Sequence, residues 1–207
     1  SGTIHLNGHD PMKDSTAARK SIGIVFQDPS VDDELTAAEN MHFHAVLFSV
    51  PSAERARRIQ ELLEFVDLWD RRNDLVKQFS GGMKRRLEIA RGLLHHPKVI
   101  FLDEPTIGLD PQTRNHMWAY LQKLNAEKNI TVFFTTHYME EAEKVAQRVA
   151  VIDHGKIIAV GSPAELKAQT KTASLEEAFL QLTGNAIRAE GASAADSMRQ
   201  AKKMWRR

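Results

Sequence analysis

Short apolar runs alternate along the chain with stretches in which apolar residues recur at helical spacing. The runs that have the pattern of strands lie at residues 3–8, 22–26, 98–102 and 130–134. Apolar strands that alternate with helices favour a parallel sheet with helices on both faces. A hairpin over residues 148–160, turning at His154-Gly155, is expected to add antiparallel strands at the sheet edge. The pattern therefore predicts an α/β fold.

Helical spacing dominates between residues 35 and 79. Thr36 and Glu39 have the spacing of a capping box in front of an apolar segment. The apolar residues that recur further along this stretch are Ile59, Leu62, Leu63 and Val66. We expect a helical insertion here.

The later helices are predicted from their capping residues. Ser80 can cap a helix that is stopped by Pro97. Asp110 followed by Pro111 is the start of a helix that runs to about residue 126. Further helices are predicted near residues 138–147, 163–169 and 174–182.

Composition narrows the class of protein. With 207 residues, of which 42% are hydrophobic and 27% charged, the chain is long enough for one globular domain. The formal charge of +1 gives no general attraction for nucleic acid, so nucleic acid is not an expected partner. The absence of cysteine excludes disulfides and thiolate metal sites and suits a reducing compartment. No apolar run approaches the ~20 residues that span a bilayer, so a membrane role would need a partner.

The two ends of the chain differ from its middle. The sequence begins with Ser-Gly-Thr and has no initiator methionine or charged leader at its start. We therefore expect that it begins within a longer chain. Residues 185–207 are rich in Ala, Ser, Gly and charge, and the last nine contain five Lys or Arg and no acid. This composition predicts a basic, flexible tail, with contact to anionic lipid as the alternative.

Two segments carry candidate chemistry. The strand at 98–102 ends in Asp103 and Glu104, and ligands bind at the carboxyl ends of parallel strands. One carboxylate could hold Mg²⁺ while its neighbour orients or deprotonates a water, although a strand that ends in solvated acids has the same pattern. Ser80, Gly81 and Gly82 begin a helix, where phosphate could bind, although an ordinary serine cap looks the same.

The order and spacing of three segments resemble the ABC ATPase domain. They are Ser-Gly-Gly-Met-Lys at 80–84, Leu-Asp-Glu-Pro-Thr at 102–106 and Gly-Leu-Asp-Pro at 108–111. The resemblance covers about residues 1–183 and implies a P-loop NTPase-like fold that uses ATP and Mg²⁺. It implies that Asp103 closes the Walker B strand and holds the metal, and that Glu104 is the catalytic carboxylate. The residues implied in nucleotide binding are Ser80, Gly81, Gly82 and Met83 of the signature loop and Asp110 of the D-loop.

The same resemblance gives roles to two further residues that alone would be interpreted as loop residues in solvent. Gln27 matches the Q-loop glutamine, which contacts Mg²⁺ and the attacking water and senses the transporter subunit. His137 matches the switch histidine at the γ-phosphate. Met83 stands where glutamine is commonest, and with the ending of the helix near 174–182 it resembles the drug-exporting branch.

One motif of the family does not occur. The sequence contains no G-x-x-x-x-G-K-[ST] loop, and its one Gly-Lys pair, Gly155-Lys156, lies in the predicted hairpin. Because that loop supplies the main contacts to the β- and γ-phosphates, we expect the chain alone to bind ATP weakly. The resemblance implies that an N-terminal strand and helix are also lacking, which would expose apolar surface and a strand edge.

The expected organisation has four parts. They are a truncated core with the Q-loop at 1–34, a helical subdomain facing the transporter at 35–79, the signature helix and the rest of the core at 80–184, and the tail at 185–207. The expected function is ATP hydrolysis that powers an exporter, at the cytoplasmic face of the membrane. The implied partners are a second ABC ATPase domain and a membrane permease. The alternatives are a non-enzymatic pairing module and a non-transport ABC ATPase acting in DNA repair or translation.

Overall fold

The computed structural model describes residues 2–184. These residues form two compact units, which divide between Tyr138 and Met139. The tail expected at 185–207 lies outside the described residues.

The first unit contains a parallel sheet and the helices around it. Its helices are α1 (Ser15–Lys20), α2 (Ala37–Leu47), α3 (Ser52–Phe65), α4 (Gly81–Leu93) and α5 (Pro111–Lys128). Its strands are β1 (Ile22–Val25), β2 (Val99–Leu102) and β3 (Thr131–Phe134). The strands pair in the order β1-β2-β3, and the register aligns Val25, Leu102 and Phe134. The predicted α/β class is confirmed, and so are these three strands.

The second unit contains an antiparallel hairpin and three helices. Its elements are α6 (Met139–Val145), β4 (Val149–Asp153), β5 (Lys156–Gly161), α7 (Pro163–Thr170) and α8 (Leu175–Thr183). His154 and Gly155 take the positive φ angles of 45° and 72° that the tight turn needs, as predicted. The prediction that these strands extend the edge of the parallel sheet is wrong. They pair with each other in a separate two-stranded sheet, because the tight turn brings the two strands together.

The strand predicted at residues 3–8 is also wrong. Leu6 and His9 exchange two backbone hydrogen bonds of 2.9 and 3.0 Å across a turn at Asn7 and Gly8. The chain therefore folds back on itself at once and forms a single isolated bridge. Ile4 of this segment is 67% exposed.

The helical insertion and α4 share one core. Thr36 caps α2 by accepting a hydrogen bond from the Glu39 amide, and the Glu39 carboxylate accepts one from the Thr36 amide, so the capping box is confirmed. Met41 of α2, Leu63 of α3 and Leu87 of α4 are fully buried together. The packing of these three helices fixes the position of α4.

Close contact with the sheet fixes α4 on its other side. A Cβ atom on Gly23 of β1 would lie 2.6 Å from the carbonyl oxygen of Gly92, so only glycine allows this approach of helix and strand. Gly92 in turn lies against Val25 and Ile100. The helix that begins at the predicted signature loop is therefore held directly on the parallel sheet.

Apolar side chains are exposed on the sheet face opposite α4. Ile24, Phe101 and Phe133 lie in one row across the three strands. Ile24 is 46% exposed and Phe133 is 54% exposed. On the α4 face, by contrast, Trp118 of α5 packs against Phe134 with ring centroids 4.7 Å apart. Exposed apolar surface was expected on this sheet, and these residues supply it.

Candidate functional site

The carboxyl ends of the three parallel strands gather the predicted hydrolytic residues along one edge. The backbone pairing continues past the strands, because the Asp103 amide donates to the Val25 carbonyl at 2.9 Å and the Thr135 amide to the Leu102 carbonyl at 3.0 Å. The predicted residues that follow these ends are Gln27 after β1, Asp103 and Glu104 after β2, and His137 after β3.

Glu104 and His137 contact each other directly. Nδ1 of His137 lies 2.9 Å from Oε1 of Glu104. Because an ionised carboxylate only accepts hydrogen bonds, the imidazole donates from Nδ1 and leaves Nε2 for another group. The Glu104 side chain is 18% exposed and that of His137 is 55% exposed, so water and a substrate can reach the pair. Glu104 also has a φ of 46°, a conformation that is costly for a residue with a side chain and is typical of functional sites.

Thr135 was not predicted as a site residue, yet it holds both acidic residues. Its hydroxyl donates to Oδ1 of Asp103 at 2.5 Å and accepts a hydrogen bond from the Glu104 amide at 3.1 Å. The signal in the sequence is a threonine directly after an apolar strand. It becomes informative only when the strand register places Thr135 beside the end of β2.

The donors at this edge suit a Mg²⁺ ion bound together with a phosphate ligand. Thr135 occupies one oxygen of the Asp103 carboxylate, so the other oxygen can face a cation. Gln27 is exposed and offers an amide oxygen. Within residues 2–184, no group of three or more acidic or histidine side chains is arranged to hold a metal by itself. In proteins, Mg²⁺ commonly takes one or two carboxylates and completes its coordination shell with water and substrate phosphates.

The predicted signature residues lie at the start of α4. Ser80 caps the helix, and its hydroxyl oxygen accepts a hydrogen bond from the Met83 amide at 3.3 Å. The hydroxyl proton is left for another acceptor, and the first amides of a helix have no partner within it. Ser80 and Gly81 are exposed, whereas Gly82 is buried. The exposed helix start can therefore bind an anion such as phosphate.

Asp110 caps α5 beside this helix start. Its carboxylate accepts hydrogen bonds from the Thr113 hydroxyl at 2.6 Å and from the Thr113 amide at 3.0 Å, and these bonds, the hydroxyl bond first, lower the pKa of Asp110. A Cβ atom on Gly82 would lie 2.5 Å from the Thr113 methyl group. The starts of α4 and α5 are thus in contact through Gly82 and Thr113.

A groove of about 570 Å³ lies between α2, α3 and the turn that follows. Phe43 and Val46 of α2, Ile59 of α3 and Trp69 contribute apolar walls. Phe43 is 66% exposed, so the groove presents apolar surface to solvent. Within residues 2–184, no helix has the length and apolar content needed to cross a membrane.

Comparison with known proteins decides the family. The family model described as "ABC transporter" matches residues 1–107. The chain belongs to the ABC transporter family. Over 188 residues, this ABC chain is 39% identical to the linearmycin resistance ATP-binding protein LnrL of Bacillus subtilis. The alignment covers 87% of this chain and 60% of LnrL. The chain is 42% identical over 167 residues to the daunorubicin/doxorubicin resistance ATP-binding protein DrrA of Streptomyces peucetius, covering 81% of the chain and 50% of DrrA.

Solved structures agree with this assignment. An ATP-binding subunit of an ABC transporter matches with a TM-score of 0.76 and 28% identity, over 89% of this ABC chain and 77% of that chain. CbiO1 of Clostridium perfringens, part of the CbiONQ transporter complex, matches with a TM-score of 0.74 and 31% identity, over 82% and 69%. The ATP-binding cassette MJ0796, a dimer in a post-hydrolysis state with ADP and phosphate, matches with a TM-score of 0.67 and 29% identity, over 78% and 73%. The predicted ABC ATP-binding fold is confirmed.

The ABC chain spans between 50% and 60% of the length of the curated relatives LnrL and DrrA. LnrL is named for resistance to linearmycin and DrrA for resistance to daunorubicin and doxorubicin, in agreement with the predicted likeness to the drug-exporting branch.

Proposed function

We propose that this ABC chain carries the hydrolytic residues of an ATP-driven exporter. The observation that carries the proposal is the 2.9 Å contact between His137 and Glu104 at the edge where the three strand ends meet. A carboxylate in contact with an imidazole, next to a second carboxylate on Asp103, suits ATP hydrolysis, in which one group activates the attacking water and another holds Mg²⁺.

In the proposed reaction, Glu104 accepts a proton from the attacking water. The water oxygen forms a bond to the γ-phosphorus, the bond from that phosphorus to the bridging oxygen of ADP breaks, and ADP and phosphate leave. His137 holds the carboxylate through Nδ1, and its Nε2 faces a γ-phosphate oxygen. Asp103 and Gln27 would hold Mg²⁺, which when bound neutralises charge on the phosphates.

The residues at the starts of α4 and α5 have a different role from the hydrolytic residues, because they would contact ATP that another domain binds. We infer that Ser80, Gly81, Gly82 and Met83 present their helix start to ATP held by a second ABC domain, with Asp110 beside them. The exposure of Ser80 and Gly81 supports this role. The dimeric state named for MJ0796 is consistent with such pairing. Since the 207 residues contain no G-x-x-x-x-G-K-[ST] loop, we expect that these residues alone bind ATP weakly.

We infer that the groove beside Phe43 is where a membrane permease docks. A partner helix with an apolar side chain would fill the space between α2 and α3. That contact would place the ABC chain at the cytoplasmic face of a membrane. The names of LnrL and DrrA favour export of an antibiotic-like compound over a role in DNA repair or translation.

The enzymatic role is tested by measuring ATP turnover of the protein that is expressed from its natural reading frame. We expect Mg²⁺-dependent release of phosphate that Glu104→Gln reduces by at least about 10²-fold. Glu176→Gln, at an exposed position on α8, is the matched control and should leave the rate unchanged. If that protein shows no turnover but raises the turnover of a complete ABC domain mixed with it, the non-enzymatic pairing module is the correct function instead.

A further inference from the structure

Arg85 of α4 contacts the backbone of two strand ends at once. Its side chain is buried, with 7% exposed. Nε donates to the Pro105 carbonyl at 3.1 Å, Nη2 donates to the Asp103 carbonyl at 2.6 Å, and Nη1 donates to the Phe26 carbonyl. One guanidinium group therefore ties the segment after β1 to the segment after β2.

Each of these carbonyls adjoins a proposed hydrolytic residue. Phe26 precedes Gln27, and the carbonyls of Asp103 and Pro105 lie on the two sides of Glu104. Apart from the Asp103 amide, which still donates to the Val25 carbonyl, these segments lie beyond the paired residues of β1 and β2, so the sheet alone does not fix their backbone positions. The planar fork of arginine reaches several acceptors in fixed directions, which the single ammonium group of lysine cannot do.

Glu88 holds the far end of the Gln27 segment from the same helix. Its side chain is 1% exposed, and Oε2 lies 3.4 Å from Nη1 of Arg85. Its Oε1 accepts hydrogen bonds from the Ser30 amide at 2.6 Å and from the Ser30 hydroxyl at 3.0 Å. The segment that contains Gln27 is therefore attached to α4 at Phe26 through Arg85 and at Ser30 through Glu88.

A requirement for stability does not explain this buried pair well. Removing two charges from water costs free energy, and apolar residues of similar volume often replace a buried ion pair without loss of stability. The pair differs from an apolar contact in its directional bonds, which fix the three carbonyls and Ser30. Accurate placement of backbone is what a reaction sensitive to small displacements needs.

We propose that Arg85 and Glu88 are positioning residues, which together form a bracket that sets the geometry of Gln27 and Glu104 from α4. Because α4 begins at the signature residues Ser80 to Met83, a displacement of that helix start is passed through the bracket to the hydrolytic residues of the same chain. The bracket thereby couples the surface offered to a second ABC domain to the chemistry of this one. This inference rests on the proposed ATP hydrolysis.

The test compares Arg85→Lys with Arg86→Lys in the protein expressed from its natural reading frame. Arg86 is a matched control, because it lies next on the same helix and donates instead to the Val66 carbonyl at 2.8 Å. We expect Arg85→Lys to lower kcat for ATP by about 10²-fold, with KM within about threefold, when both variants are assayed well below their Tm values. Tm should fall by a few degrees, because lysine cannot satisfy all the buried carbonyls that Arg85 bonds. Arg86→Lys should leave kcat within about twofold. Equal kcat values in the two variants, or a loss for Arg85→Lys that appears only in KM or Tm, would overturn the proposal.

The partner residue provides a second measurement. Glu88→Gln keeps the volume but weakens the bonds to Ser30 and Arg85, so it should also lower kcat. If both residues act as one bracket, the double variant should lose little more than Arg85→Lys alone, whereas fully multiplied losses would contradict a shared role.

Hydrogen exchange separates failure of this inference from failure of the proposed function. If the unmodified protein shows no ATP turnover, the proposed function is wrong. The bracket is then tested by amide hydrogen exchange alone. Arg85→Lys should then speed exchange of the hydrogen-bonded amides of Ser30, Glu104 and Ile107 by about tenfold relative to Arg86→Lys. Identical exchange in the two variants would refute the bracket.

Discussion

The imidazole Nδ1 of His137 lies 2.9 Å from the carboxylate Oε1 of Glu104, although the two residues follow different strands. Their meeting depends on the parallel register of β2 and β3, which ends both strands at the same edge. Thr135 also stabilises this arrangement, because its hydroxyl hydrogen-bonds both the Asp103 carboxylate and the Glu104 amide. The geometry of the hydrolytic residues is thus a property of the β2 and β3 ends as a whole.

Removing the imidazole should affect chemistry more than folding. In His137→Ala, Glu104 loses the group that orients its carboxylate, and we expect kcat for ATP to fall by about 10²-fold or more. Because His137 is 55% exposed, the free energy of unfolding should change by less than about 0.5 kcal/mol. His154→Ala, at an exposed turn of the hairpin, is the control for loss of a histidine. Retention of kcat in His137→Ala would show that the contact has no role in the reaction.

The hydroxyl of Thr135 gives a finer test of the same site. Thr135→Val keeps the branched shape but removes the donor to Asp103 and the acceptor for the Glu104 amide, so kcat should fall by about tenfold. Thr135→Ser retains the hydroxyl and should stay within about threefold of the unmodified protein. Steady-state phosphate release measures both, and equal losses in the two variants would assign the effect to shape instead of hydrogen bonding.

The contact between α4 and α5 predicts a rescue experiment. In Gly82→Ala the new Cβ atom would meet the Thr113 methyl group at 2.5 Å, and the forced shift should cost about 1–3 kcal/mol of unfolding free energy. Adding Thr113→Ser removes that methyl group and keeps the hydroxyl that bonds Asp110. Urea unfolding should therefore show recovery of most of the loss in the double variant. Strictly additive losses would mean that the two residues do not conflict.

Much of this fold was predictable from short-range patterns. The caps at Thr36, Ser80 and Asp110 were identified correctly, because each cap is a local hydrogen bond between residues three apart in the sequence. The prediction for residues 3–8 failed because alternation alone cannot say whether a strand has a partner. The hairpin turn was predicted but its assignment to the parallel sheet was not correct, since sheet membership depends on contacts that are distant in sequence.

In the candidate site, too, the residues that belong to local sequence motifs were predicted, whereas those that act through contacts distant in sequence were not. Glu104 and His137 were identified because they lie within motifs that resemble a known family. Thr135 and Arg85 were missed, because their bonds to Asp103 cross between elements and no motif marks them. Whether the identified residues catalyse the reaction remains a prediction that the experiments above test.

Docking on the groove should be separable from ATP hydrolysis. Phe43→Asp places a charge in the groove beside α2, and we expect recovery of a co-expressed permease to fall by more than about tenfold. ATP turnover of the protein without its permease should stay within about twofold, because α2 carries none of the proposed hydrolytic residues. Leu180→Asp, which changes an exposed apolar residue of α8, is the control. Unchanged recovery with Phe43→Asp would place the docking surface elsewhere.

Acid should weaken the packing of α2 through His44. The His44 ring stacks on Phe48 at 4.4 Å, and Phe48 stacks on His95 at 4.2 Å. Burial, followed by the charges of Arg91 and His95, lowers the pKa of His44 to about 4. In the unfolded chain a histidine has a pKa near 6.5. Between these values the unfolded state binds more protons, so the stabilisation is complete above about pH 6.5 and is lost as the pH falls towards 4.

His44→Phe keeps an aromatic ring in the stack and cannot take up a proton. We expect the unmodified protein to lose about 1–2 kcal/mol more unfolding free energy than His44→Phe between pH 7.5 and pH 5, after allowance for partial exposure of the ring. Some pH dependence should remain in the variant, because burial also lowers the pKa of His95. Urea unfolding at the two pH values measures the difference. His116→Phe, at an exposed position of α5, is the control, and parallel pH profiles for His44→Phe and the unmodified protein would exclude His44 as the source of the acid sensitivity.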